Sequence, residues 1–142
     1  MLNAEVAERL VAAARRARER AYAPYSNFTV GAAALCADGR VFEGCNIENA
    51  AYGPTVCAER VAMFCAVAAG CREIRAIAIV GPGEEPLTPC GTCRQVMWEL
   101  APEASVIMEG EGGRRATSTV AELLPGAFGQ RDLRDRKAEE EG

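Results

Sequence analysis

Cys57, Cys90, Cys93 and Glu59 carry most of the chemical potential of this chain of 142 residues. Cys90 and Cys93, in Pro89-Cys90-Gly91-Thr92-Cys93, stand three apart at the expected start of a helix. That spacing puts both sulfurs on one side of the first turn, able to grip one ion. Taken alone, Cys-x-x-Cys also serves thiol redox pairs. Cys57 falls at the start of the other long internal helix, and three thiolates would leave a tetrahedral zinc ion one position open for water. A fourth protein ligand would make the site structural, and Cys36, Cys45, Cys65 and Cys71 keep that alternative open. Histidine is absent. Acid–base or metal chemistry near neutral pH therefore falls to carboxylates and thiolates.

Three thiolates around Zn²⁺ carry net negative charge, which is costly to bury without compensation. Two helix N-termini each supply roughly half a positive charge, and Arg60 adds a full one as electrostatic support of the thiolates. Glu59 lies two positions after Cys57, about 200° around a regular helix. It is poorly placed as a co-ligand, yet near the helix end it could reach a metal-bound water. As a first-turn acid it would also simply favour the helix dipole.

These residues need elements to hold them. Asn3 to Tyr22 reads as a helix capped by Asn3 and stopped by Pro24. Phe28 to Cys36 and Arg40 to Asn46 read as strands joined by a tight turn at Asp38-Gly39. Gly31 and the small residues after it predict that something packs very close. A helix is expected over Val56 to Ala69, capped by Thr55 and stopped by Gly70. Ile74 to Val80 fits a strand buried on both faces. A third helix runs from Cys90 to Leu100, then strands at Ala104 to Glu109 and Arg114 to Thr117, and a short helix at Val120 to Leu124. Strands separated by helices imply parallel pairing in a mixed sheet with helices packed on it: an α/β sandwich in one domain.

Composition narrows the function. Twenty acidic and sixteen basic side chains give a net charge of −4, the wrong sign for a protein that tracks a nucleic-acid backbone. No apolar run of about twenty residues predicts a membrane span. The N-terminus is charged and amphipathic, and the seven cysteines are an odd number. Both point to reduced thiols in a cytosol-like compartment rather than a disulfide framework. A Cys36–Cys45 bridge fails on geometry, because the expected hairpin separates them by roughly 13 Å along the strand. The simplest reading of Cys36, Cys45, Cys65 and Cys71 is as small buried hydrophobes.

Cys57-Ala58-Glu59-Arg60, followed after about thirty residues by Pro89-Cys90-Gly91-Thr92-Cys93-Arg94-Gln95, resembles the zinc signature of the cytidine deaminases. The likeness extends to Tyr25-Ser26-Asn27-Phe28 with Val30-Gly31-Ala32-Ala33, to Asn46-Ile47-Glu48-Asn49-Ala50, and to Leu123-Leu124-Pro125-Gly126-Ala127-Phe128. The resemblance implies a three-layer α-β-α sandwich around a mixed five-stranded sheet. It implies one domain over residues 1–142, with 129–142 a frayed charged tail. It further implies one zinc ion per subunit on Cys57, Cys90 and Cys93, with Glu59 as the proton carrier in the established chemistry of zinc deaminases. Ala58 would hold the pyrimidine edge, Asn46 and Glu48 the ribose, and Phe28 would stack on the base. In the small members four subunits share their pockets, and Tyr52 and Phe128 match positions used that way. The implied reaction is cytidine and 2′-deoxycytidine deamination in cytoplasmic pyrimidine salvage, with a nucleoside as the only partner besides the other subunits.

The plainer roles are also definite. Asn46 could bond to loop backbone, Glu48 could be a solvated loop acid, Phe28 could be core, and Phe128 could tether the tail. Rival functions are a blasticidin-S deaminase, a polynucleotide deaminase, a structural zinc module and a thiol redox protein. The last two leave Glu59 and the sugar-binding motif without a purpose.

Overall fold

The structure is a computed structural model that describes residues 2–134. The elements in chain order are α1 (Ala4–Arg18), β1 (Gly31–Cys36), β2 (Val41–Cys45), α2 (Ala58–Ala68), β3 (Ile74–Gly81), α3 (Gly91–Leu100), β4 (Ser105–Gly110), β5 (Arg115–Thr119) and α4 (Val120–Leu123). The strands form one five-stranded sheet in the order β2-β1-β3-β4-β5. Of the strand pairs, β3–β4 is parallel, while β1–β2, β1–β3 and β4–β5 are antiparallel. The expectation that helix-linked strands pair in parallel therefore holds for β3 and β4 only. β2 and β3 do run in the same direction, but β1 lies between them.

Side chains alternate across the sheet as strand geometry requires. Ala33 of β1, Ala76, Ala78 and Val80 of β3 and Ile107 of β4 meet Leu10, Val11, Ala13 and Ala14 of α1. On the other face Ala32, Ala34, Ile77, Ile79, Val106 and Met108 meet Ala58, Ala62, Met63 and Ala66 of α2, Met97 of α3 and Val120 of α4. The result is the α-β-α sandwich implied by the sequence.

Two glycines set the spacing of these layers. A Cβ on Gly31 would lie 1.9 Å from the Ala14 carbonyl oxygen of α1, and one on Gly44 would lie 2.6 Å from that of Ala58 in α2. The close approach expected at Gly31 is thus the seat of α1, and Gly44 seats the first turn of α2.

Several expectations need correction. Asn3 does cap α1, accepting from the Val6 N–H at 2.8 Å, but α1 ends at Arg18. Tyr22 instead bridges to the Ile47 segment, donating its N–H to the Asn46 carbonyl. A tertiary pairing outcompetes one more turn of helix. A two-residue turn at Asp38-Gly39 would place Cys36 opposite Val41 and Cys45 opposite Ala32, but the β1–β2 hairpin pairs Leu35 with Val41, one residue out of that register. Gly39 at φ 94° permits a three-residue loop in place of the two-residue turn. Cys45 consequently lies opposite Gly31 rather than Ala32.

The cysteine reading changes most. Cys36 and Cys71 form a disulfide, with Cα atoms 6.1 Å apart. Both are buried, as expected, but they are not two small hydrophobes with free thiols. Gly70, at φ 95°, ends α2, and the Cys71 and Gly70 N–H groups return to the Ala66 and Val67 carbonyls. This Schellman closure delivers Cys71 to the end of β1, where Cys36 sits opposite Ile74. Cys65 is exposed and Cys45 half-buried, so the buried reading fails for Cys65 as well. The predicted frayed tail is helical at 130–134, and Gly129 donates to Asp132 Oδ2. Residues 135–142 lie outside the described part.

Candidate active site

Cys57 is the N-cap of α2 and Cys90 the N-cap of α3. Thr55 is not the cap, because Val56 exchanges backbone hydrogen bonds with Ile47 and the chain stays extended through Cys57. Thr55 Oγ1 accepts from the Asn49 N–H instead. Neither cysteine makes a side-chain capping bond. The sulfurs are left at the positive ends of two helices.

The Sγ atoms of Cys57, Cys90 and Cys93 all lie within 4.8 Å of one another, with Cys57 and Cys90 3.8 Å apart. Among the described residues no other Cys, Asp or Glu cluster has this geometry. Hydrogen bonds from Cys93 and the Arg60 guanidinium pull the Cys57 thiol down to about 5. The neighbouring Cys57 thiolate, together with burial, pushes Cys93 far up. The cluster thus takes one negative charge readily and resists the next. A divalent cation removes that conflict, and three soft sulfur donors suit zinc.

Arg60 Nη2 stands 3.4 Å from Cys57 Sγ. Its buried Nε has no hydrogen-bond partner among the described residues. The guanidinium therefore sits where its charge serves the sulfurs, although its donors are incompletely used. Glu59 is buried with 4% exposure, and burial raises its carboxyl above the ordinary carboxylate range. It lies outside the sulfur donor group but lines the same cleft as Cys57, Cys90 and Ala58.

A family sequence model, "Cytidine and deoxycytidylate deaminase zinc-binding region", matches residues 4–109. This chain belongs to that deaminase family. It is 50% identical over 127 residues to a cytidine deaminase of Sporosarcina psychrophila, covering 89% of this chain and 93% of that one. It is 52% identical over 127 residues to the cytidine deaminase of Halalkalibacterium halodurans, covering 89% and 96%. The crystal structure of cytidine deaminase from Burkholderia pseudomallei superposes with a TM-score of 0.83 at 52% identity, covering 85% of this chain and 98% of that one.

The cleft beside the sulfurs has a volume of about 500 Å³, and Phe28, Asn46 and Glu48 all line it. Asn46 is largely occupied by the fold. Its Oδ1 accepts from the Val30 N–H at 2.9 Å and its Nδ2 donates to the Phe28 carbonyl at 2.7 Å. Glu48 Oε1 accepts from the Tyr25 and Ser26 N–H groups at 2.9 and 3.1 Å. Hydrogen bonding from Ser26 holds the Glu48 carboxyl below its ordinary value. Tyr52 and Phe128 do not line this cleft. Tyr52, 77% exposed, sits at φ 60° beside a neighbouring hollow, and Phe128 is 56% exposed with its carbonyl accepting from Gln95.

Sequence reasoning passed over Leu87, Thr88 and Pro89, which form one wall of the cleft. Their place just before Cys90 was the available signal. Leu87 also packs where a Cβ on Gly81 would stand, 2.4 Å from Leu87 Cδ2. Ser26, quoted only within the Tyr25-Ser26-Asn27-Phe28 motif, had been given no role of its own.

Proposed function

We propose that this deaminase hydrolyses cytidine and 2′-deoxycytidine to uridine and 2′-deoxyuridine with release of ammonia. The observation that carries the reading is the meeting of three sulfurs and a buried carboxylate at one end of a nucleoside-sized cleft. Cys57, Cys90 and Cys93 would hold zinc. A zinc ion bound there supplies a Lewis acid that makes water nucleophilic near neutral pH.

The chain's own residues handle protons and position. Glu59, whose raised pKa suits it to carry a proton near neutrality, accepts one from the attacking water. It donates that proton to ring N3 as attack at C4 proceeds, then takes the second proton from the new C4 hydroxyl and passes it to the departing amino group. Water thereby ends as the new C4 carbonyl oxygen, one proton kept on N3 and one proton that leaves with ammonia. The low-dielectric surroundings of Glu59 prevent bulk water from competing for the proton. Ala58 backbone holds the pyrimidine edge, Phe28 offers its ring to the base, and Glu48 and the remaining donor capacity of Asn46 face the sugar. Arg60 offsets the charge of the sulfurs.

Tyr52 and Phe128, exposed and outside their own cleft, support a homotetramer in which each completes a neighbour's pocket. A cytoplasmic setting and a role in pyrimidine salvage rest on the nucleoside chemistry alone, because the Cys36–Cys71 bridge removes the support that the cysteine count offered. The decisive experiment is an ultraviolet assay of cytidine loss. Activity that a chelator abolishes and zinc restores is expected, and no loss of cytidine by the zinc-loaded protein would refute the reading.

A further inference from the structure

The proposed nucleoside contacts Phe28 and Glu48 lie twenty positions apart in sequence, on different loops. Phe28 is exposed and Glu48 half-buried, and neither belongs to the packed core. Both are fastened to Ser26. The Ser26 hydroxyl donates to Glu48 Oε2, and the same Oγ accepts the Phe28 N–H at 3.0 Å. The Ser26 N–H adds a third bond, to Glu48 Oε1 at 3.1 Å. Asn27, between the two, is held at φ 57°, a left-handed conformation that asparagine tolerates better than most residues. Its N–H returns to the Ala23 carbonyl at 3.0 Å. The segment is therefore a short knot with the serine oxygen at its centre.

We propose that Ser26 is a positioning residue for substrate recognition, a latch that sets the base platform Phe28 and the sugar-facing Glu48 relative to each other. This deepens the functional reading above and rests on it. Ser26 acts through its neighbours and holds no proton of the reaction. It orients one carboxylate oxygen of Glu48 by donation while accepting the amide that begins the Phe28 backbone. A hydroxyl is needed because only a group that donates and accepts at once can serve both. Alanine would leave the Phe28 N–H without this partner and release Glu48 Oε2, while Oε1 stays on the Tyr25 and Ser26 N–H groups. Threonine retains the oxygen.

The test is steady-state kinetics of the zinc-loaded enzyme on cytidine, comparing wild type with Ser26→Ala, Ser26→Thr, Glu48→Gln and the Ser26→Ala/Glu48→Gln double variant. Ser26→Ala is expected to raise KM about ten-fold, the size of one lost hydrogen bond to a charged group. Zinc content and kcat should stay close to wild type. Ser26→Thr should restore most of KM. In the double variant the two KM effects should fall well short of multiplying, since the residues act as one unit. Ser26→Cys, close in shape but a weak donor, replaces alanine if the alanine variant does not fold. An unchanged KM, full multiplication of the two effects, or a kcat loss that threonine does not repair would overturn the latch. Wild-type enzyme that fails to consume cytidine would instead refute the functional reading, so the two failures are distinguishable.

Discussion

At the floor of the cleft, Ala58, Glu59 and Cys93 are buried, and each belongs to the first turn of a helix. At the rim, Phe28 keeps 44% of its surface exposed, and on the loops outside it Tyr52 keeps 77% and Phe128 56%. The floor is built from regular elements packed on the sheet through Ala62, Met63 and Met97. The rim is built from loops fastened by side-chain hydrogen bonds, such as those of Asn46 to Val30 and Phe28. The difference teaches where rigidity is placed. The three sulfurs and the Glu59 carboxylate are set by helix starts, while Phe28 and Glu48 are carried on loops and placed by side-chain hydrogen bonds.

Variants at the two ends should therefore fail in different ways. The largest effect is expected from Cys93→Ser, the buried member of the sulfur group. Zinc should fall well below one per chain by atomic emission, with activity lost; full zinc occupancy would show that two sulfurs suffice. Next comes Glu59→Gln, which keeps the shape of the side chain and removes its proton chemistry. It should lower kcat by about 10²–10⁴-fold with zinc retained, and a near-normal rate would remove Glu59 from its role.

The third variant separates stability from chemistry within the floor itself. Cys36–Cys71 closes a loop with a sequence separation of 35 that contains Cys57 and Glu59. Cys71→Ala should lower unfolding free energy by about 3–4 kcal/mol in the chain-entropy account of such a loop. Turnover by the folded enzyme should persist. Equal denaturant midpoints for the two proteins would show that the bridge contributes nothing to the native state. The smallest effect belongs to the rim: Phe28→Ala should raise KM several-fold, on the order of one base–aromatic contact, and leave kcat nearly intact. A kcat loss as large as that of Glu59→Gln would erase the contrast between floor and rim.

The same contrast governs what was legible in the residues. Cys57, Cys90 and Cys93 could be placed near helix starts because such starts are local, although the cap of α2 was expected at Thr55 and is Cys57; spacing left the role of Glu59 open, and the resemblance joined it to the sulfurs. Gly70 was equally plain as a stop. The rim was less so. Asn46 carries the same side chain whether it faces a ribose or braces the Phe28 loop, and only the folded chain shows the brace. The hairpin register slipped by one because Asp38-Gly39 suits both a two-residue turn and the three-residue loop that forms.

Sequence by itself determined the kind of chemistry, the sulfur donors, the missing imidazole and the alternation that gives a helix layer on each face of a sheet. Tertiary structure alone decided that β1 inserts between β2 and β3, and with it that Cys36 finds Cys71. The physical reason is range. Helix caps and periodicity act over a few residues of chain, whereas strand order is fixed by which distant apolar faces pack together, a choice no single segment carries.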